Sequence, residues 1–150
     1  MKNEIIYIKG NVLKAPADRL LVHACNCKGN WGKGVAKQLA DKYPLSYMAH
    51  QQCAPFSVGD IQIINCDTRA IICLFTSKGY GRTVDTPYTI LRNTFKALAT
   101  LAEAYCDQMI IIASPKINAG LFGVPWEHTE ELINDFIAQN KNIKWEVYVV

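Results

Sequence analysis

The chain has 150 residues, half of them hydrophobic and 19% charged, with a formal net charge of +3. That length makes one domain, residues 1–150, burying about two-thirds of its unfolded surface, and the composition excludes a disordered chain. No apolar run reaches the about 18 residues of a membrane span, Met1-Lys2-Asn3-Glu4 begins no signal peptide, and Lys and Arg are scattered. A cytoplasmic or nuclear monomer is therefore expected, without membrane contact or a dedicated nucleic-acid surface; its mild positive balance suits a small anion.

Ile5 to Ile8 predict a short strand ending at Lys9-Gly10-Asn11, and Arg19 to Ala24 a second one. The second runs into a loop with three glycines, Gly29, Gly32 and Gly34, which opens a helix. The helix carries Val35, Ala36, Leu39, Ala40 and Tyr43 at helical spacing and stops at Pro44. Strand, glycine loop and helix N-terminus together offer backbone N–H groups and a positive dipole end to an anion. This is neither a Walker A loop, since Cys27 stands where the first glycine belongs, nor a Rossmann loop, since Lys37 stands where the third belongs.

Leu45 to Cys53 read as a short helix packing through Tyr47, Met48 and Cys53. Ile61 to Cys66 and Ala70 to Phe75, reversed at Asp67-Thr68-Arg69, read as a hairpin. After a polar loop, Thr76 to Thr86, Pro87 starts a long helix with Leu91, Phe95, Leu98, Ala102 and Tyr105 on one face. Met109 to Ala113 read as a central strand covered on both faces, and a second glycine loop follows. Pro125 then opens a helix with Leu132, Ile133, Phe136 and Ile137 inward and Glu127 in its first turn. Ile143, Trp145, Val147 and Val149 alternate in a last strand, with Tyr148 facing the other way. Strands alternating with helices, plus one hairpin, predict a three-layer α/β/α sandwich on a mixed sheet.

The six cysteines contain no C-x-x-C and only three histidines accompany them, so free thiols and no metal site are expected. Cys66, Cys73 and Cys106 read as small hydrophobes. There is no Cys-x5-Arg phosphatase loop and no Asp-x-Asp pair.

Two stretches resemble the loops of the macro domain, an ADP-ribose-binding module. Asn26 with Gly32-Lys33-Gly34-Val35-Ala36 is similar to its first ligand loop, and Ser114-Pro115-Lys116-Ile117-Asn118-Ala119-Gly120-Leu121-Phe122-Gly123-Val124-Pro125-Trp126-Glu127 to its phosphate loop. The resemblance covers nearly the whole chain. It implies a cleft for ADP-ribose or ADP-ribose 1″-phosphate lined by Gly10, Asn11, Val12, Ala24, Cys25, Asn26, Gly32, Lys33, Gly34, Val35, Asn118, Ala119, Gly120, Leu121, Phe122, Gly123 and Tyr148, with no cofactor.

Each residue also has a plainer reading. Gly120 and Gly123 either admit a diphosphate to the backbone or make a tight turn. Asn26 either holds the distal ribose, as the resemblance implies, or caps its own loop. Phe122 flanks that ribose or belongs to the core. Asn11 stands where many macro domains have an Asp for the adenine amino group, and Tyr148 stacks on adenine or is an ordinary sheet-face aromatic. Trp31 is a lid or a packing residue.

His23 read alone is a satisfied core histidine. The branch of the family that hydrolyses ADP-ribose 1″-phosphate has His at this place, which implies an acid or base acting at the anomeric carbon. Asp85 either orients a water or caps the next helix. The family branch that removes ADP-ribose from protein or nucleic acid uses a Lys directly after Thr; here Ser77 follows Thr76 and Lys78 comes one place late. The expected activity is therefore a slow, metal-independent phosphatase. An ADP-ribosyl hydrolase acting on ADP-ribosylated protein and a non-catalytic ADP-ribose reader are the alternatives.

Overall fold

The computed structural model describes residues 3–66 and 69–150. Six strands form one sheet: β1 (Ile6–Lys9), β2 (Leu20–Asn26), β3 (Ile61–Asn65), β4 (Ala70–Ser77), β5 (Ile110–Ser114) and β6 (Ile143–Val149). Their order is β1-β6-β5-β2-β4-β3, and only β3, antiparallel to β4 at the edge, departs from parallel pairing. The mixed three-layer sandwich expected from the sequence is what forms. The hairpin pairs Ile61 with Leu74 and Asn65 with Ala70, while Asp67 and Thr68 of its reversal lie outside the described residues.

Period-two alternation separates two cores. Val22 of β2, Ile72 and Leu74 of β4, Ile112 of β5 and Trp145 and Val147 of β6 face α3 (Pro87–Ala104) and α4 (Trp126–Gln139). Leu21 and Cys25 of β2, with Ile71, Cys73 and Phe75 of β4, face α1 (Gly34–Lys42) and α2 (Pro44–Cys53). All eight residues of β4 are buried, because helices cover both of its faces.

Several helix faces differ from the expectation. In α3 the buried residues are Ile90, Thr94, Ala97, Leu98 and Leu101, and Phe95 is exposed. The helix has apolar residues around much of its circumference, and its phase is set by Thr94, whose hydroxyl donates to Ile90 O and accepts from Asn118 Nδ2. In α2 Met48 and Cys53 are exposed, and the residue buried is His50, because that helix is phased by stacking on Trp31. Met109 and Cys106 are exposed as well. The apolar run enters the sheet only at Ile110, and Cys106 follows the end of α3 without packing as a small hydrophobe.

β2 and β5 are neighbours, yet the chain leaves β2 toward α1 on one face and β5 toward α4 on the other. At such a divergence the connections part and leave a crevice at the carboxyl ends of the strands.

Candidate ligand cleft

Both glycine loops open into that crevice. It has a volume of about 820 Å³ and is walled by residues 23–26 and 30–36, by Tyr80 and Gly81, and by residues 115–118 and 120–122. That is a size suited to a nucleotide-sized ligand.

In the first loop, Lys33 precedes α1 without a side-chain cap, so the opening N–H groups of the helix remain free. Gly34 has φ +62° and only open space where a Cβ would stand, so the chain turns into α1 with its backbone laid bare to the cleft. The loop is anchored from behind by Trp31, 2% exposed. The Trp31 backbone N–H donates to Tyr47 Oη, and its ring stacks on Tyr47 at 5.2 Å and His50 at 4.6 Å. Trp31 is thus a packing residue.

In the second loop, Asn118 takes φ +66° and buries its amide. Its Oδ1 accepts from Thr76 Oγ1 and its Nδ2 donates to Thr94 Oγ1, both at 2.9 Å, while its carbonyl accepts from Val124 N. The side chain is spent on the scaffold, so Asn118 can meet a ligand only through its backbone. Among the described residues, the N–H groups of Gly120, Leu121 and Phe122 have no protein partner. Three consecutive free donors beside a helix N-terminus make an anion cradle.

Asn26 is engaged with its own loop: Oδ1 accepts from Lys28 N at 3.0 Å and Asn30 N at 3.4 Å, and Nδ2 donates to Asn30 O at 2.9 Å. One amide proton stays available to a hydroxyl. His23, 3% exposed, faces the α1–α2 layer, with Trp31 edge-on at 5.0 Å. Its only hydrogen-bonding neighbours among the described residues are thiols: Cys25 Sγ at 3.3 Å from Nε2 and Cys73 Sγ at 3.4 Å. No spacing of cysteines in the chain announces this grouping; the register of β2 on β4, His23 beside Cys73, creates it.

The structure does not bring every expected residue into the cleft. Asp85 lies outside the lining and accepts from Lys78 N at 3.0 Å, closing the 78–85 loop, and Thr86 caps α3 in its stead. Ala119 and Gly123 sit within the second loop as its internal turns. At the far end, Asn11 Oδ1 caps the 3-10 turn Val12–Lys14, Val12 is core, and Gly10 N–H donates to Val149 O. Tyr148 donates to Glu146 Oε1, itself held by Arg19. These four residues lie outside the lining too. Conversely, Asn30, Tyr80, Gly81, Lys116 and Ile117 line the cleft without having been singled out; only the polar character of the 76–86 loop hinted at Tyr80 and Gly81.

Neither Cys25 nor Cys27 is primed as a nucleophile. Burial, and then Cys73, push Cys25 well above the ordinary thiol range, and burial, with the Asp85 carboxylate, pushes Cys27 up to about 11. Lys78 is exposed and does not line the cleft. What remains is a cleft that offers backbone donors and is lined by two lysines, Lys33 and Lys116.

The chain resembles proteins called ADP-ribose 1″-phosphate phosphatase. One from Candida albicans is 38% identical, covering 97% of this chain and 99% of its own. One from Aspergillus fumigatus is 34% identical, covering 90% and 91%. Among solved structures, the macrodomain of Mycobacterium tuberculosis DarG superposes with a TM-score of 0.84 at 22% identity, covering 99% of each chain. The profile of the Macro domain family matches residues 22–133, and the chain belongs to that family.

Proposed function

We propose that this protein binds ADP-ribose 1″-phosphate and hydrolyses it to ADP-ribose and inorganic phosphate without a metal. The observation that carries this reading is the pair of opposed loops presenting unpartnered backbone N–H groups to one cleft. Near full-length similarity to phosphatases of that name supports the choice of substrate. The Gly120–Phe122 amides and the α1 N-terminus hold the diphosphate, Lys33 and Lys116 balance its charge, and Asn26 turns its spare amide proton to the distal ribose. Phe122, half-buried on the lining, walls that ribose.

Water attacks phosphorus, the bond from phosphorus to the anomeric oxygen breaks, and that oxygen leaves with a proton supplied by His23 from the floor of the cleft. Positioning and fixed dipoles carry most of the rate, so turnover is slow. Asp85 acts by fixing the 78–85 loop.

A phosphate-release assay tests this. His23→Ala should lower kcat about 100-fold or more while calorimetric affinity for ADP-ribose is retained. Lys78→Ala should turn over like the wild type. Equal rates for wild type and His23→Ala remove His23 from the mechanism. Normal affinity without phosphate release makes the protein a reader, and loss of activity in Lys78→Ala favours the ADP-ribosyl hydrolase.

A further inference from the structure

At the floor of the cleft, three soft donors meet. His23 and Cys25 come from the same face of β2, and Cys73 comes from β4. All three are buried, and their ligand atoms lie within 4.8 Å of one another. His23 Nε2 is 3.3 Å from Cys25 Sγ and 3.4 Å from Cys73 Sγ. Around a tetrahedral zinc ion, bond lengths near 2.0–2.1 Å to nitrogen and 2.3 Å to sulfur put neighbouring nitrogen and sulfur about 3.6 Å apart. The backbone therefore already holds these donors at nearly the spacing an ion requires.

A fourth donor stands alongside. His50 on α2 is fully buried, with Nδ1 3.9 Å from Cys73 Sγ and bonded to Gln62, and with no partner for Nε2. Released from Gln62, the Nδ1 that already faces Cys73 would add a second nitrogen to the two sulfurs.

We infer that His23, Cys25, Cys73 and His50 form a binding site for one thiophilic divalent cation of the zinc class. The donor set decides the class: thiolate with imidazole is what zinc takes, and it is a poor site for magnesium or calcium. Charge agrees, since each thiol gives up its proton on coordination and two thiolates with two neutral imidazoles exactly cancel a 2+ ion, leaving a neutral buried unit. His23 and Cys25 both line the cleft, which supplies the route in. A bound ion occupies the lone pair of His23. On the phosphatase reading, which this consequence alone rests on, the loaded protein is silent while its cleft still binds ADP-ribose.

Full-length protein refolded with Co2+, then dialysed, should retain about one ion per chain with the intense visible bands of tetrahedral, thiolate-ligated cobalt. Cys106→Ser, at an exposed thiol, should behave identically, and Cys73→Ser should lose the bands. Should Cys73→Ser fail to fold, X-ray absorption of zinc-loaded wild type decides, with about two sulfur neighbours expected. Wild type that keeps no ion, or a shell of oxygens alone, overturns the site. Phosphate release from the same samples separates the two readings. Bound metal without loss of turnover sinks the role of His23 and leaves the site; turnover without any metal binding sinks the site and leaves the phosphatase.

Discussion

Asn118 shows how a single residue serves the fold and the cleft by different atoms. Its amide bridges β4 and α3 through Thr76 and Thr94, while its left-handed backbone turns the second loop so that the next amides run free. Asn118→Ala deletes two buried hydrogen bonds, leaves the Thr76 hydroxyl without its acceptor and keeps a strained φ, so it should cost about 2–3 kcal/mol in denaturant unfolding. Asn118→Gly relieves the backbone and should cost less. An Ala variant as stable as the wild type would remove the bridge from the stability of this protein. The sequence pointed to Asn118 as a ligand residue because of the loop it sits in; nothing local reveals that Thr94, 24 positions earlier, waits for its amide.

At the scale of elements, the two loops were the most legible part of the chain, because glycine, proline and hydrophobic periodicity are local signals. Gly120 gives that reading a clean test. It has an ordinary φ, and a Cβ there would meet nothing within 4 Å, so a side chain is tolerated by the fold and intrudes only on the cleft. Gly120→Val should leave thermal stability within about 0.5 kcal/mol of wild type and weaken ADP-ribose binding at least about tenfold by calorimetry. Unchanged affinity would mean that the diphosphate does not approach this loop. Helix faces were less legible than loops: α3 turns inward about one residue away from its apparent stripe, because a buried threonine network, and not hydropathy, sets its phase.

For the whole molecule without a bound ion, acid sensitivity should come from His50. It is stacked between Trp31 at 4.6 Å and Phe56 at 4.8 Å, and burial lowers its pKa against the upward pull of its bond to Gln62. The unfolded chain then binds a proton that the native protein refuses, so stability rises with pH and is lost as pH falls through the unfolded histidine value of about 6.5. The melting temperature should drop between about pH 7.5 and 5.5, and His50→Gln should flatten that drop. An identical slope in the variant would assign the acid sensitivity elsewhere.

Strand and helix order, the mixed sheet, the two glycine loops and the family were all determined by the sequence itself, through patterns that span a few neighbouring residues. Only the tertiary structure decided that Asn26 and Asn118 spend their amides on the scaffold and that Asp85 closes a loop outside the cleft. It alone gathered His23, Cys25 and Cys73 at the cleft floor, with His50 beside Cys73. The reason is physical: periodicity states which face a residue takes, whereas its partner depends on strand register and helix phase, which are settled by contacts among residues tens of positions apart.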